Sequence, residues 1–210
     1  MNTLFFDVAL DKLRVCLISD KKTINYVGES ANGKIAEALL PKIEEILSKE
    51  GVDISDIDNV VVGVGPGSFT GVRIAVSTAK GLFATGKVNV YNVTSFEMLS
   101  YSEVEMQNLV IITKAFSSLY YASIFGNSCC ETISEIKKKI NGKDCIVLCE
   151  ESLKNELYDF NTKIVNIDAE KIIKNVLQFK KPIAIHELEP LYLRASQAEI
   201  ELQKKKGGVL

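Results

Sequence analysis

Tryptophan is missing from the 210 residues, histidine occurs once, and proline only four times. A lone histidine, His186, cannot build a histidine-rich metal centre. A Ser–His–Asp hydrolase would have to run through that same residue, and the sequence holds no nucleophile elbow. No window approaches the ~18 consecutive apolar residues of a membrane helix, so no membrane partner is expected. Met1-Asn2-Thr3-Leu4-Phe5-Phe6 meets Asp7 too early for the apolar stretch of a secretory signal. The five cysteines (Cys16, Cys129, Cys130, Cys145 and Cys149) are odd in number and lack a disulfide framework. They read as reduced thiols of a cytoplasmic protein. Cys145 and Cys149, four apart in an expected strand, lack the further ligands a metal needs. Acidic side chains are absent between Asn59 and Phe96. That stretch would carry the ribose-binding acid of a dinucleotide site, so neither nicotinamide nor flavin is expected. A net charge of −2 supplies no field for nucleic acid. The runs Lys137-Lys138-Lys139 and Lys204-Lys205-Lys206 lack interleaved aromatics, and the second lies in a tail read as unstructured.

What is present centres on Gly65-Pro66-Gly67-Ser68-Phe69-Thr70-Gly71-Val72-Arg73-Ile74-Ala75. It follows the apolar run Val60–Val64 and opens into helical spacing, the order strand, glycine turn, helix N-terminus. Gly65, Pro66, Gly67, Ser68, Phe69 and Gly71 make up the turn. Such a turn holds an anion or lets two backbones approach closely. Gly81-Leu82-Phe83-Ala84-Thr85-Gly86-Lys87-Val88 nearly spells a P-loop, but Val88 replaces the magnesium-binding hydroxyl. The segment also ends a helix instead of opening one, and Gly86 reads as its stop.

The chain opens with three expected antiparallel strands, Leu4–Val8, Arg14–Ile18 and Thr23–Val27. An amphipathic helix over Lys34–Lys49 follows, with Pro41 placed to kink it and Gly51 to stop it. Val60–Val64 and Val88–Tyr91 read as strands, Thr70–Ala84 and a segment from Ser95 as helices. After a polar boundary at 101–105 the plan repeats. Strands are expected at Leu109–Thr113, Tyr120–Phe125, Cys145–Cys149 and Ile164–Ile167, and helices at Ile133–Ile140, Glu151–Tyr158 and Ala169–Gln178. Strands then helices, twice over, predict an α/β protein of two lobes, 1–103 and 104–210.

The residues Gly65 to Ile74 resemble the signature of the TsaB (YeaZ-type) proteins. Asp7, Ala38-Leu39-Leu40-Pro41, Val60–Gly65, Val93-Thr94-Ser95 and Pro190-Leu191-Tyr192-Leu193-Arg194 agree in order and spacing. The resemblance implies a two-lobed actin/Hsp70/sugar-kinase-like fold, each lobe on a ribonuclease-H-like sheet. It also implies a non-catalytic scaffold and activator, not an enzyme. That subunit dimerises with a TsaD-type threonylcarbamoyltransferase, which forms threonylcarbamoyladenosine beside the anticodon of tRNAs reading ANN codons. A TsaE-type ATPase joins the assembly, and tRNA is met only through the complex. Without TsaD the same patch is expected to pair two copies of this chain. Three positions depart from the family pattern. Val8-Ala9-Leu10 follows Asp7 where a Thr-Ser pair is usual, Ile35 replaces a histidine, and Lys114-Ala115-Phe116 replaces an Asp-Ala-Arg-like turn.

The docking face is expected on the two helices Lys34–Lys49 and Thr70–Ala84. Ile35, Leu39, Thr70, Arg73, Ala75, Val76, Ala79 and Lys80 are its expected residues. Arg73 is placed either in an ion pair at that interface or on carbonyls of the glycine turn. A reading from another class makes the chain an actin-like-fold kinase or peptidase that grips phosphate at Gly65–Gly71.

Overall fold

The computed structural model describes residues 1–20, 22–28, 35–85, 87–103 and 108–194, with only the backbone described for Ile35 and Ala36. The expectations for the Ile35 side chain, Gly86, the middle of the 101–105 boundary and the lysine-rich tail lie outside the described residues.

Two five-stranded sheets share one plan. In the first, β1 (Thr3–Asp7), β2 (Leu13–Ile18) and β3 (Thr23–Gly28) form an antiparallel meander. β4 (Asn59–Gly63) and β5 (Asn89–Val93) extend it in parallel from β1, giving the order β3-β2-β1-β4-β5. In the second, β6 (Leu109–Lys114), β7 (Leu119–Ile124) and β8 (Asn127–Thr132) form the meander. β9 (Ile146–Cys149) and β10 (Thr162–Ile164) continue in parallel from β6, giving β10-β9-β6-β7-β8. Read from the other edge, that is the first order again. The chain has the two-lobed, actin-like α/β fold that the resemblance implies.

β1 and β4 are buried on both faces, which explains their almost unbroken apolar runs. Alternation along β1 sends Leu4 and Phe6 to one face and Phe5 to the other. The first face packs on α1 (Leu39–Glu50) through Leu39, Ile43 and Ile46, and on α2 (Phe69–Phe83) through Ala75, Val76, Ala79 and Phe83. The second face packs on Met98 of α3 (Ser95–Ser102) and on Ile172, Ile173 and Val176 of α5 (Ala169–Phe179). α5 follows the second sheet in sequence yet covers the first. The last described stretch also returns: Ile183 pairs with Val90, Leu188 is fully buried in the first core, and the Leu191 amide donates to the Val64 carbonyl at 2.8 Å.

Local signals explain most boundaries. Gly51 takes φ 63° and stops α1, while Thr94–Glu97 and Thr132–Glu135 form capping boxes at α3 and at α4 (Ile133–Ile140). The expected helix from residue 34 is divided: a 3-10 turn over Ile35–Ala38 precedes α1. Pro41 is therefore the third residue of α1, in the first turn, where a backbone N–H has no intrahelical carbonyl to meet. The expected kink is replaced by this change of helix type. The expected helix over Glu151–Tyr158 reduces to a 3-10 turn, Glu151–Leu153, followed by turns.

Candidate docking face and interlobe cleft

The glycine turn is built for close packing. A Cβ on Gly67 would sit 2.1 Å from the Ala9 carbonyl oxygen, and one on Gly71 would sit 2.0 Å from that of Val8. Both carbonyls belong to the β1–β2 connection, so the turn lies directly against that hairpin. Gly65 takes φ 89°, and the Gly65–Pro66 peptide bond is cis. The Ser68 amide donates to the Ala9 carbonyl at 2.7 Å, and the Ser68 hydroxyl accepts from the Gly71 amide at 3.2 Å, capping α2. The amide that an anion at this turn would require is thus already donated. Phe69, the first residue of α2, is half-buried.

The expected docking residues divide into two groups. Leu39, Ala75 and Ala79 are fully buried and Val76 nearly so, all inside the first core. Placing them on an exposed face is incorrect. The small side chains of α2 let the helix settle closely onto its own sheet, and the apolar stripe is satisfied within the lobe. Thr70 and Arg73 are exposed and Lys80 half-buried. With Ser77, Gly81 and Ala84 they define the outer side of α2. Gly81 has open space around its missing side chain, with nothing within 4 Å of a Cβ. Leu40, 42% exposed, is the apolar side chain that α1 leaves outside.

Arg73 serves neither of its expected roles. Its Nε donates to the Tyr192 hydroxyl at 2.8 Å, and its guanidinium lies 3.8 Å from the centre of the Phe69 ring. The Phe69 and Tyr192 rings are themselves 5.0 Å apart. Lys80 donates to the His186 carbonyl at 3.3 Å. Both cations of α2 therefore fasten the returning segment 183–192, which explains why Pro190-Leu191-Tyr192 belongs with the glycine motif. Sequence reasoning singled out both elements without a signal that they touch.

Between the lobes lies a cavity of about 350 Å3 lined by Ala9, Leu10, Asp11 and Ser68 from one side and Lys114, Ala115, Glu150 and Glu156 from the other. At its edge Arg14 gathers three carboxylates. Its Nη2 lies 3.1 Å from Asp11 and 3.2 Å from Glu150 of the second lobe, and its Nη1 lies 3.6 Å from Asp7. Asp7 is fully buried and accepts the Ala9 amide at 3.0 Å. Burial pushes its carboxyl up, with Arg14 opposing. Burial also pushes Glu150 up to about 9, reinforced by Asp11. Asp11, half-buried, is held below the usual carboxylate range by its hydrogen bond from Glu150 and by Arg14, which outweigh its burial. This cluster was missed in the sequence: Glu150 is 136 residues from Arg14, and neither stands in a motif. The turn at Lys114-Ala115-Phe116 faces the same cleft, with Lys114 bonded to Glu156 and to the Tyr120 hydroxyl. Among the described residues, no helix is long and apolar enough to cross a membrane.

Residues 19–135 match the family model described as "TsaD: tRNA N6-adenosine threonylcarbamoyltransferase". The chain is 38% identical to the tRNA threonylcarbamoyladenosine biosynthesis protein TsaB of Escherichia coli over 39% of its own length and 35% of that protein. With the TsaB of Haemophilus influenzae it shares 28% identity over 59% of its length and 54% of the relative. The matches thus span about half or less of these relatives. YeaZ from Pseudomonas aeruginosa superposes with a TM-score of 0.71 at 18% identity, covering 91% of this chain and 99% of that one, a likeness of fold. The matched region contains the glycine turn, both helices of the first core and the first three strands of the second sheet, and on these grounds the chain belongs to the TsaB (YeaZ-type) family.

Proposed function

We propose that this protein serves threonylcarbamoyladenosine formation on tRNA as a non-catalytic subunit that docks onto a TsaD-type transferase in the cytoplasm. The match of residues 19–135 to the TsaD model, together with the TsaB names of its relatives, carries this reading. The outer side of α2 is the docking face: Thr70, Ser77, Gly81 and Ala84 are small, exposed and unused by the lobe's own core. Leu40 supplies an apolar contact at the edge. Small residues let a second helix approach closely, and a standard interface buries ~1,600 Å2. Arg73 and Lys80 act indirectly, holding segment 183–192 along the rim of this face. In the absence of TsaD the same face pairs with a second copy, and a TsaE-type ATPase joins the complex elsewhere. The unit that docks is the first lobe, 1–103, completed by α5 and the returning segment.

Co-expression with a TsaD-type transferase tests the reading. Gly81→Arg and Ser77→Arg leave the melting temperature of this chain unchanged and remove the complex from size-exclusion profiles. A complex that survives both substitutions places the interface elsewhere. Failure of the unmodified pair to associate under any condition overturns the proposed partner.

A further inference from the structure

The Arg14 cluster joins the two lobes through one polar contact that charge alone does not hold. Three carboxylates surround a single guanidinium, and three of the four groups (Asp7, Arg14 and Glu150) are at least nine-tenths buried. With every group ionised, the cluster would carry two uncompensated negative charges out of water, an arrangement proteins relieve by keeping a proton. The geometry says where. Asp11 of the β1–β2 hairpin and Glu150 at the end of β9 hydrogen-bond to each other across the lobe boundary, and two carboxyls do so only when one is protonated. Asp7 holds no comparable partner: its Oδ1 accepts an amide, and its Oδ2 has only Arg14 at 3.6 Å.

We propose that the Asp11–Glu150 pair is a proton-held latch between the lobes, closed while the pair retains one proton and open once that proton is lost. Ionised, Glu150 faces Asp11 and Asp7 with Arg14 as the one close cation. Lys12 acts on the Asp11 side. From the second lobe, Glu151 follows Glu150 in sequence, and the Cys149 thiol, pushed up to about 11, stays neutral. Lys114 lines the same cavity but is committed to Glu156 and Tyr120. Repulsion on ionisation is relieved by rotating Glu150 into water, which separates the lobes along the cavity. The raised titration of Glu150, near 9, places the opening on the alkaline side of neutrality. The proton is a property of the pair, so the apparent midpoint belongs to both residues.

Hydrogen exchange of the full chain, compared with Glu150→Gln at each pH from 6 to 10, tests the latch. The amide of the variant donates to Asp11 at every pH. The two proteins exchange alike at pH 6–7. One pH unit beyond the midpoint, the amides of residues 111–124 and 150–157 exchange about tenfold faster in the unmodified chain than in the variant. A ratio that stays constant across the range overturns the proposal. Carbon-13 titration of the Glu150 carboxyl gives a second measurement that needs no variant: a midpoint below about 6 overturns the latch. In Asp11→Asn that midpoint moves down, whereas a purely structural contact leaves it in place.

Discussion

A methyl group added at Gly71 meets the Val8 carbonyl at 2.0 Å, whereas one added at Gly81 meets nothing within 4 Å. The first position cannot yield, because the obstacle is backbone held in the hairpin. Gly71→Ala is expected to lower stability by about 2 kcal/mol or more. Gly81→Ala, in an open helical position, is expected to raise it by about 0.5–1 kcal/mol. Urea unfolding of the two variants checks both signs. The contrast also separates the two roles of glycine on α2: one admits the protein's own hairpin, and the other leaves room outside. Ala75 and Ala79 belong with Gly71. A charge placed at either position is buried without a partner and unfolds the lobe, so substitutions there test folding and not docking.

Among the elements, the returning segment depends on few groups. Arg73→Ala removes both the bond to Tyr192 and the stack on Phe69, and Tyr192→Phe removes only the bond. Losses of about 1–2 and about 0.5–1 kcal/mol are expected, read as faster proteolysis of residues 183–194. Elements with a sharp local signal were legible in the chain alone. The three-strand meander, β4, the glycine turn, α4 and α5 follow from alternation, apolar runs and capping residues. β8 was not legible, because Asn127–Thr132 is an edge strand whose polar residues carry no alternation. The apolar residues around Glu151–Tyr158 match helical spacing, yet Leu153 and Leu157 reach the second core from turns. Periodicity located the buried side of α2 but not what it faces, since a stripe meets its own sheet or a partner equally well in one dimension. The pairing of Arg14 with Glu150 was invisible for the same reason.

For the whole molecule, the Arg14 cluster ties stability to pH with a defined sign. Glu150 has its folded value raised to about 9 from the ordinary 4.5, so between these limits the folded chain holds a proton the unfolded chain has released. Its contribution is fully present below about 4.5 and is lost as pH rises toward 9, at up to about 1.4 kcal/mol per pH unit. Asp11 is lowered and acts oppositely: its contribution is present above its ordinary value of 3.8 and is lost as pH falls. The difference in melting temperature between the unmodified chain and Glu150→Gln, followed over pH 5–9, isolates the first effect. α5 binds the halves more strongly. Ile172, fully buried against Phe5 and Val61, is expected to cost about 2–5 kcal/mol on replacement by alanine, measured by urea unfolding.

The return of α5 and of Ile183 to Leu191 onto the earlier sheet bears on how the protein is made. When a ribosome has released only the first hundred residues, one side of the opening sheet still lacks Ile172 and Val176, and the other lacks Leu188. A nascent chain arrested near residue 150 is therefore expected to stay protease-sensitive from its beginning onward and to acquire resistance in one step once residue 191 clears the exit tunnel. Synthesis from the N-terminus does not imply that the N-terminal half finishes first.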